Sequence, residues 1–341
     1  MNTHPTSIKY SVLELATVAA GSSTADTFKK SLALAQKAEA LGYTRFWLAE
    51  HHNMISIASS APAVLIGHIA GGTRTIRVGS GGIMLPNHSP LIVSEQFGTL
   101  GSLYPGRIDL GLGRAPGTDQ TTAQAIRSDR TQSVYHFSQE VAEIQQYFSS
   151  ENHDARVRAP IAEGIEMPLY ILGSSTDSAH LAAKLGLPYA FASHFAPTHL
   201  FDALRIYREE FRPSAQLKEP YVIACVNVIA ADTDYEAERL STSLVRMMLG
   251  VMTNKLDYVQ PPEEPSPEIR ELMQHPAFQR MLQYAFIGSK ETVTGRTQGF
   301  LEDTEADELM VVSHVYDHHA RVRSYEIFAD IMQEMTLSEV S

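Results

Sequence analysis

The chain contains very little cysteine, and this limits its chemistry. Cys225 is the only cysteine among 341 residues, so an intramolecular disulfide and a cysteine-based metal site are excluded. A reducing compartment fits this composition. Cys225 lies inside the apolar run YVIACVNVIA (221–230), which is typical of a buried strand residue rather than of a nucleophile.

The chain also lacks an excess of basic residues and a long apolar run. It carries 27 Lys and Arg against 39 Asp and Glu, a formal charge of -12, which argues against nucleic acid or an anionic membrane as its main partner. No stretch approaches the roughly 18 uninterrupted apolar residues of a membrane-spanning helix. The N-terminal residues MNTHPTSIKY lack the basic-then-apolar pattern of a signal peptide. We therefore expect a cytoplasmic protein without a membrane or nucleic-acid partner.

What the sequence does contain is an alternation of two patterns. Short apolar runs rich in β-branched residues are each followed by a longer stretch with apolar residues every three or four positions. The predicted strands span 10–18, 45–50, 76–85, 107–113, 167–175, 188–193, 221–231 and 308–315. Alternating strands and helices predict a parallel sheet, and eight such units predict closure into a (β/α)8 TIM barrel. An open doubly wound sheet is the alternative.

The whole chain, residues 1–341, is expected to form a single barrel domain. Its 44% hydrophobic residues are ample for one core, and barrels often exceed the usual domain length. A long polar helical region is predicted from about 120 to 148. Residues 252–288, which include QPPEEPSPE, carry no clear strand. A late insertion of this length is typical of a mobile lid or an oligomer contact.

Polar and glycine-rich residues follow the predicted strands. The active sites of barrels collect at the C-terminal ends of the strands, so these residues are the candidates for a functional site. They are Glu50, His51, His52 and Asn53 after the second strand, residues 79–82 in the third, Arg114 after the fourth, Gly173, Ser174 and Ser175 after the fifth, and His194 after the sixth.

Arg114 and the turn Gly173-Ser174-Ser175 form a candidate phosphate site. Arginine recognises phosphate through its forked donors; the alternative is a salt bridge to an acid in a loop. The turn opens directly into the predicted helix 176–187, and helix N-termini bind anions; the alternative is ordinary helix capping by the serines. Because the two features follow adjacent strands, they can hold one phosphate together.

His51 and His52 are a candidate for proton transfer rather than for metal binding. The H-E-x-x-H motif is absent, and neighbouring residues on an extended chain point to opposite sides, so we predict no metal site here. A histidine facing the barrel mouth suits acid and base chemistry, because its pKa lies near neutrality. A purely structural histidine pair is the alternative.

Two glycine-rich stretches need separate interpretations. GSGG (79–82) inside a strand indicates either a bulge or a flat ligand against bare backbone, and four small residues in a row favour the ligand. GLGRAPG (111–117) is not a dinucleotide fingerprint, because its third glycine comes one position late and no helix opens inside it.

Four blocks of the chain resemble the bacterial-luciferase-like flavin monooxygenases. They are RFWLAEHHN, IRVGSGGIMLPNHSPLIVSEQFGTL, YPGRIDLGLGRAPGTD and LYILGSSTDSAHLAAKLGLPYAFASHFAP. Their combination is similar to a bacterial subgroup of luciferase-like proteins with the blocks AEHHN, GSGG, LPNHSP and GLGRAPG. Each block alone is weakly specific, but the combination is highly specific and the resemblance covers nearly the whole chain.

The resemblance implies a function and a set of partners. The family consists of (β/α)8 barrels, usually homodimers, that bind reduced FMN delivered by a separate NAD(P)H:flavin reductase. In the family the reduced flavin reacts with O2 to give a C4a-peroxyflavin, which oxidises a small organic substrate. The implied function is therefore that of a two-component FMN-dependent monooxygenase.

The resemblance also implies roles for single residues. His51 matches the catalytic histidine, and Glu50 matches an acid near the flavin. His52 and His194 remain as candidates for the substrate pocket, His52 with a supporting role. The cofactor site of the family is matched by Gly81, Gly82, Arg114, Gly173, Ser174, Ser175 and Ser178. The two glycines match a non-proline cis peptide that lies against the flavin ring, and the other five residues match the phosphate site.

The chain departs from the luciferases at two positions. A reactive cysteine precedes the phosphate arginine in luciferases, where this chain has Gly113, and an acid in their phosphate turn is Ser174 here. The pocket therefore differs, and light emission from a long-chain aldehyde is not expected. Some relatives use the deazaflavin F420 or bind flavin without turnover. A non-catalytic flavin-binding protein and an F420- or NAD(P)H-dependent oxidoreductase are therefore the alternatives.

Overall fold

The structure is a computed structural model that describes residues 8–115, 117–126 and 130–340. Its strands are β1 (Lys9–Glu14), β2 (Arg45–Leu48), β3 (Arg77–Ser80), β4 (Ile83–Met84), β5 (Ile108–Gly113), β6 (Leu169–Gly173), β7 (Tyr189–Phe191), β8 (Val222–Ala230), β9 (Ala285–Gly288) and β10 (Glu308–Val312). Its α-helices are α1 (Thr24–Ala40), α2 (Pro62–Gly72), α3 (Pro90–Leu103), α4 (Gln120–Ile126), α5 (Arg130–Phe148), α6 (Thr176–Leu185), α7 (Leu200–Glu210), α8 (Asp234–Met252), α9 (Pro267–Gln274), α10 (Pro276–Met281), α11 (Lys290–Thr304) and α12 (His318–Val340).

The strands close into a parallel barrel, which confirms the predicted TIM-barrel fold. The order is β10, β1, β2, β3, β5, β6, β7, β8, and β8 pairs again with β10 to complete the ring. All strand pairs in this ring are parallel. Helices between successive strands cover the outside, so a strand such as β8 is buried at every position.

Local signals in the sequence set several helix ends. Ser23 caps α1, because its side chain accepts a hydrogen bond from the backbone N–H of Asp26. Leu34, Ala35 and Ala38 place the apolar face of α1 in the core. Gly186 ends α6 in the left-handed conformation, at φ 62°, which is the usual role of a glycine after a helix.

The expectation that residues 252–288 carry no strand is wrong. They include α9, α10 and the short strand β9, which pairs in parallel with the last residues of β8. β9 has only four residues, AFIG, too few for a strand period to stand out. β8 pairs with β10 up to Asn227 and with β9 from Asn227 to Ala230. The helical region predicted from 120 to 148 consists of α4 and α5, and residues 127–129 lie outside the described residues.

A network of buried charges fills the N-terminal end of the barrel. The guanidinium of Arg45 donates to both carboxylate oxygens of Glu308 at 2.8 and 3.0 Å, to Asp109 at 2.9 Å and to the hydroxyl of Tyr170 at 2.7 Å. Arg77 donates to the other oxygen of Asp109 at 2.6 Å. These residues are the first or second of their strands, so the network links five strands at one end of the barrel.

Substituting Asn for Asp109 should lower the free energy of unfolding by about 3–5 kcal/mol, measured by urea denaturation. The substitution keeps the shape of the side chain but leaves Arg45 and Arg77 facing a neutral group, and Asp109 is fully buried. Asp232→Asn is the control, because the ion pair of Asp232 with Arg323 is exposed; its cost should stay below about 1 kcal/mol. Equal losses for the two variants would contradict a stabilising role for the network.

Candidate functional site

A large cavity opens at the C-terminal ends of the barrel strands. It has a volume of about 1090 Å³, slightly above the roughly 300–1,000 Å³ of typical ligand pockets. Nine residues predicted from the sequence line it together: Glu50, His51, Gly81, Arg114, Gly173, Ser174, Ser175, Ser178 and His194. Gly82 and His52 are not among the lining residues. The remaining wall is largely apolar and rich in methionine.

The GSGG stretch interrupts a strand of the barrel wall beside this cavity. β3 ends at Ser80, the Gly81–Gly82 peptide bond is cis, and β4 resumes at Ile83. A Cβ atom on Gly81 would lie 2.8 Å from Leu13, and one on Gly82 would lie 2.9 Å from the carbonyl oxygen of Gly111. Close packing therefore requires both glycines, and Gly81 in addition borders the cavity.

The carboxylate of Glu50 joins two loops at the rim of the cavity. It accepts hydrogen bonds from the rings of His52 at 2.8 Å and His88 at 2.9 Å, from the amide of Asn87 at 3.0 Å and from the backbone N–H of Met84 at 2.9 Å. Glu50 is 1% exposed. The AEHHN and LPNHSP blocks are thus held together by one acid, and His52 acts as its donor.

This hydrogen bonding keeps Glu50 charged. Burial raises the pKa of Glu50, but the bonds from His52, His88 and Asn87 outweigh burial, so the pKa falls from 4.5 to about 2. A carboxylate with such a pKa and four donor residues is a poor proton acceptor. Glu50 therefore positions the loops rather than transferring protons.

His51 is held by the loop that follows β5. Its Nδ1 lies 3.2 Å from the carbonyl oxygen of Gly117, and that oxygen also accepts the backbone N–H of His52 at 3.3 Å. Gly117 has a φ of 63°, and a Cβ there would lie 2.5 Å from the carbonyl oxygen of Glu50, so a glycine is required. Burial lowers the pKa of His51, against the opposing effect of the Gly117 bond. Because a carbonyl only accepts, Nδ1 carries the proton and Nε2 of the neutral ring is the acceptor.

Arg114 and the N-terminus of α6 lie on one side of the cavity. Ser175 precedes the helix without capping it through its side chain, so the N–H groups of the first turn stay open to an anion. A Cβ on Gly173 would lie 1.7 Å from the hydroxyl of Ser178, which requires glycine at the turn. Arg114 donates to Asp177 at 2.9 Å. Sequence reasoning missed Asp177, although it stands in the same GSSTDS block.

Two further polar residues of the cavity also escaped the sequence analysis. Asn227 lies on β8 and His314 two residues after β10, and both line the cavity with His194. Nδ1 of His194, Nδ1 of His314 and Oδ1 of Asn227 are buried without a hydrogen-bond partner among the described residues. A lone amide inside the apolar run of β8 and a histidine at the end of the last strand were the available signals.

Comparison with known proteins places the chain in a family. Residues 8–324 match the sequence profile of the luciferase-like monooxygenases. A luciferase-like monooxygenase of Escherichia coli (strain K12) is 46% identical over 328 residues, which cover 96% of this chain and 98% of that protein. The chain therefore belongs to the luciferase-like monooxygenase family, which confirms the expected resemblance and the expectation of an enzyme of the monooxygenase class.

Two solved structures share the fold of this chain. The crystal structure of apo-MsnO8 superimposes with a TM-score of 0.86 at 35% sequence identity, covering 96% of this chain and 98% of that chain. The oxygenating constituent of 3,6-diketocamphane monooxygenase from Pseudomonas putida, solved in complex with FMN, has a TM-score of 0.71 at 18% identity, covering 95% and 97%. The second likeness concerns the fold alone.

The residues that the structure describes contain neither a helix able to span a membrane nor a cluster of metal-binding side chains. None of the helices within 8–115, 117–126 and 130–340 is both long and apolar enough to cross a bilayer. In the same part of the chain, no cluster of three or more His, Cys, Asp or Glu side chains is arranged to hold a metal ion.

The depressed pKa of Glu50 predicts how stability depends on pH. Wild type should be more stable than Glu50→Gln above about pH 4.5, by on the order of 3 kcal/mol. This advantage should disappear as the pH falls toward about 2, where the folded-state carboxylate takes up its proton. Urea unfolding of both proteins between pH 6 and pH 2.5 measures the difference. The exposed Glu209→Gln serves as the control, and a difference independent of pH would show that Glu50 is not held as a carboxylate.

Proposed function

We propose that the protein is the oxygenase component of a two-component, FMN-dependent monooxygenase. The observation that carries this proposal is the convergence of Arg114, the open N-terminus of α6 and His51 on one largely apolar cavity. The family supplies the reaction class, and a protein of the same fold has been solved with FMN. A separate NAD(P)H-dependent reductase would supply reduced FMN, and O2 and a small organic molecule would be the co-substrates.

The phosphate of FMN fits the charge and donors on one side of the cavity. Arg114 is the only Lys or Arg among the described residues that line it. Its ion pair with Asp177 is solvent-exposed on both sides, at 41% and 65%, so a phosphate can replace Asp177 at modest cost. The N–H groups of α6 would add further donors. A single cation suits one phosphate better than the additional carboxylates of F420, which favours FMN.

The rest of the cavity fits an aromatic ring and a second molecule. Leu13, Trp47 and Leu172 border it together with the bare backbone of Gly81, and about 1090 Å³ leaves room beyond the cofactor. When bound, reduced flavin supplies the electrons with which O2 is activated. The apolar walls would exclude water, which otherwise diverts such chemistry to peroxide. α8 contributes Leu244, Met248 and other residues to these walls, and Met281 of the insertion reaches them, so we retain the insertion as a proposed lid.

His51 is proposed to accept or return a proton near the reacting atoms. Burial keeps its ring neutral at neutral pH, and Gly117 fixes which nitrogen is free. Glu50 would act through the loops and not as a base, because its carboxylate is saturated by donors. A hydrogen bond to one ring nitrogen of a histidine commonly fixes its tautomer and leaves the other nitrogen free to act as a general base.

Arg114→Ala should weaken binding of FMN about ten- to hundred-fold and leave riboflavin nearly unchanged. Charge-assisted bonds to phosphate contribute about 1.5–3 kcal/mol, and riboflavin lacks the phosphate. Fluorescence titration of both flavins with the wild type and the variant measures the two affinities. An equal loss for both ligands would place the phosphate elsewhere.

Asp177→Asn controls for the ion pair itself. If Arg114 acted only by pairing with Asp177 to hold the start of α6, this variant would weaken FMN as much as Arg114→Ala. We expect FMN affinity to be kept or increased instead, because a competing negative charge leaves the phosphate site.

The wild-type protein should delay the reoxidation of photoreduced FMN by O2 relative to free flavin, followed by stopped-flow absorbance. His51→Ala should keep FMN affinity within several-fold but shorten the delay and release more hydrogen peroxide. The reason is that no side chain at position 51 can then accept or return a proton near the reacting atoms. Tight FMN binding without any delay in the wild type would instead favour a non-catalytic flavin-binding protein. Unchanged kinetics in His51→Ala would remove His51 from the reaction.

A further inference from the structure

Three neighbouring strands bring unpaired polar atoms to one wall of the cavity. His194 follows β7, Asn227 lies on β8, and His314 follows β10; β8 pairs with both of the other strands. The three residues are 9%, 2% and 5% exposed. A buried polar atom without a partner costs about 1–3 kcal/mol, so three in one cavity indicate that a ligand completes them.

The chemistry of the cluster restricts that ligand. The amide nitrogen of Asn227 donates one N–H to the carbonyl oxygen of His194 at 2.7 Å. Its oxygen has no partner among the described residues, and an oxygen requires a donor on the ligand. Burial lowers the pKa of both His194 and His314 to about 3, so the rings are neutral and can donate or accept.

The surroundings disfavour a charged ligand group. Glu50 is the only carboxylate among the described lining residues, and its oxygens are already saturated by donors. Arg114 follows β5, which stands two to four places from β7, β8 and β10 in the ring of strands, and it pairs with Asp177. Arg321, the cation whose charge acts on His314, is paired with Glu14 at 2.6 Å, so both cations already have a carboxylate partner. A buried charge without a counter-ion is strongly unfavourable.

The nearby walls are apolar and adaptable. Met310 on β10, Met247 and Met248 on α8, and Met281 on α10 line the same cavity. Methionine side chains are flexible and polarizable, and they fit apolar groups of varied shape. A ligand anchored at the cluster would therefore extend an apolar body along these methionines.

We propose that Asn227, His194 and His314 form a substrate subsite for an uncharged amide or hydroxyl group on an otherwise apolar molecule. The proposal rests on the proposed function only in that this molecule would be the one oxygenated. Nδ1 of His194 and Nδ1 of His314 make no hydrogen bond within the described residues. These two atoms therefore do not stabilise the fold through hydrogen bonds, which fits a role in binding.

Binding of matched eight-carbon probes to the flavin-free protein tests this subsite by calorimetric titration at pH 7.5. Octanamide and 1-octanol should bind about ten-fold more tightly than methyl octanoate, octanoate or octylammonium, because only the first two offer a neutral donor. Asn227→Leu and His314→Leu should each weaken octanamide about ten-fold and change methyl octanoate less than about two-fold. His314→Leu should fold at least as stably as wild type, so the test stands even if Asn227→Leu is unstable.

Asn152→Leu is the matched control. Asn152 is likewise buried, and both its side-chain polar atoms lack a partner among the described residues, but it does not line the cavity. Its substitution should leave all probe affinities unchanged. The proposal is overturned if wild type shows no preference for octanamide, if it binds none of the probes, or if the cavity variants bind them like wild type. Each of these outcomes would leave the cluster without a role in binding a ligand.

FMN titration of the same proteins separates the two proposals. Retained FMN binding without probe selectivity would remove the subsite and leave the oxygenase function intact. Probe selectivity without FMN binding would keep the subsite and remove the flavin-dependent function.

Discussion

The guanidinium of Arg45, held between Glu308 and Asp109, is the interaction on which the rest of the barrel depends. It ties β2 to β10 and β5 at the N-terminal end, opposite the strand ends where the cavity lies. Trp47, two residues further along β2, donates to Asp109 at 3.0 Å and also borders the cavity. β2 therefore carries Arg45 of the buried charge network and Trp47 of the cavity wall, and Glu50 and His51 follow its end.

The mouth of the cavity is organised by a second buried charge. Glu50 accepts hydrogen bonds from its own loop and from the loop after β4. The carbonyl oxygen of Gly117 accepts hydrogen bonds from the ring of His51 and from the backbone N–H of His52. These contacts give the two histidines different environments. His52 supports Glu50 outside the cavity, whereas His51 faces the cavity with a tautomer set by the backbone.

The sequence allowed the barrel and much of the candidate site to be predicted, because both rest on local patterns. Strand and helix periods are local, and the carboxyl ends of parallel strands converge, so Arg114 and the Gly173 turn could be expected on one face. Other features depend on distant contacts. The partnership of Glu50 with His88 spans 38 positions, and β9 forms a strand only because β8 continues beyond the barrel rim. Asn227 stands out only once its neighbours on β7 and β10 are known.

The polar atoms of the cavity divide by whether the protein itself satisfies them. Glu50, Nδ1 of His51 and the hydroxyl of Ser178 have protein partners, so their arrangement is fixed before any ligand binds. His194, His314 and Asn227 keep buried atoms open, which lowers stability unless something else binds them. Apolar side chains at these three positions would have left no buried polar atom without a partner. That the fold leaves such atoms open, beside methionines that adapt to shape, is an argument for recognition of a second molecule at that wall.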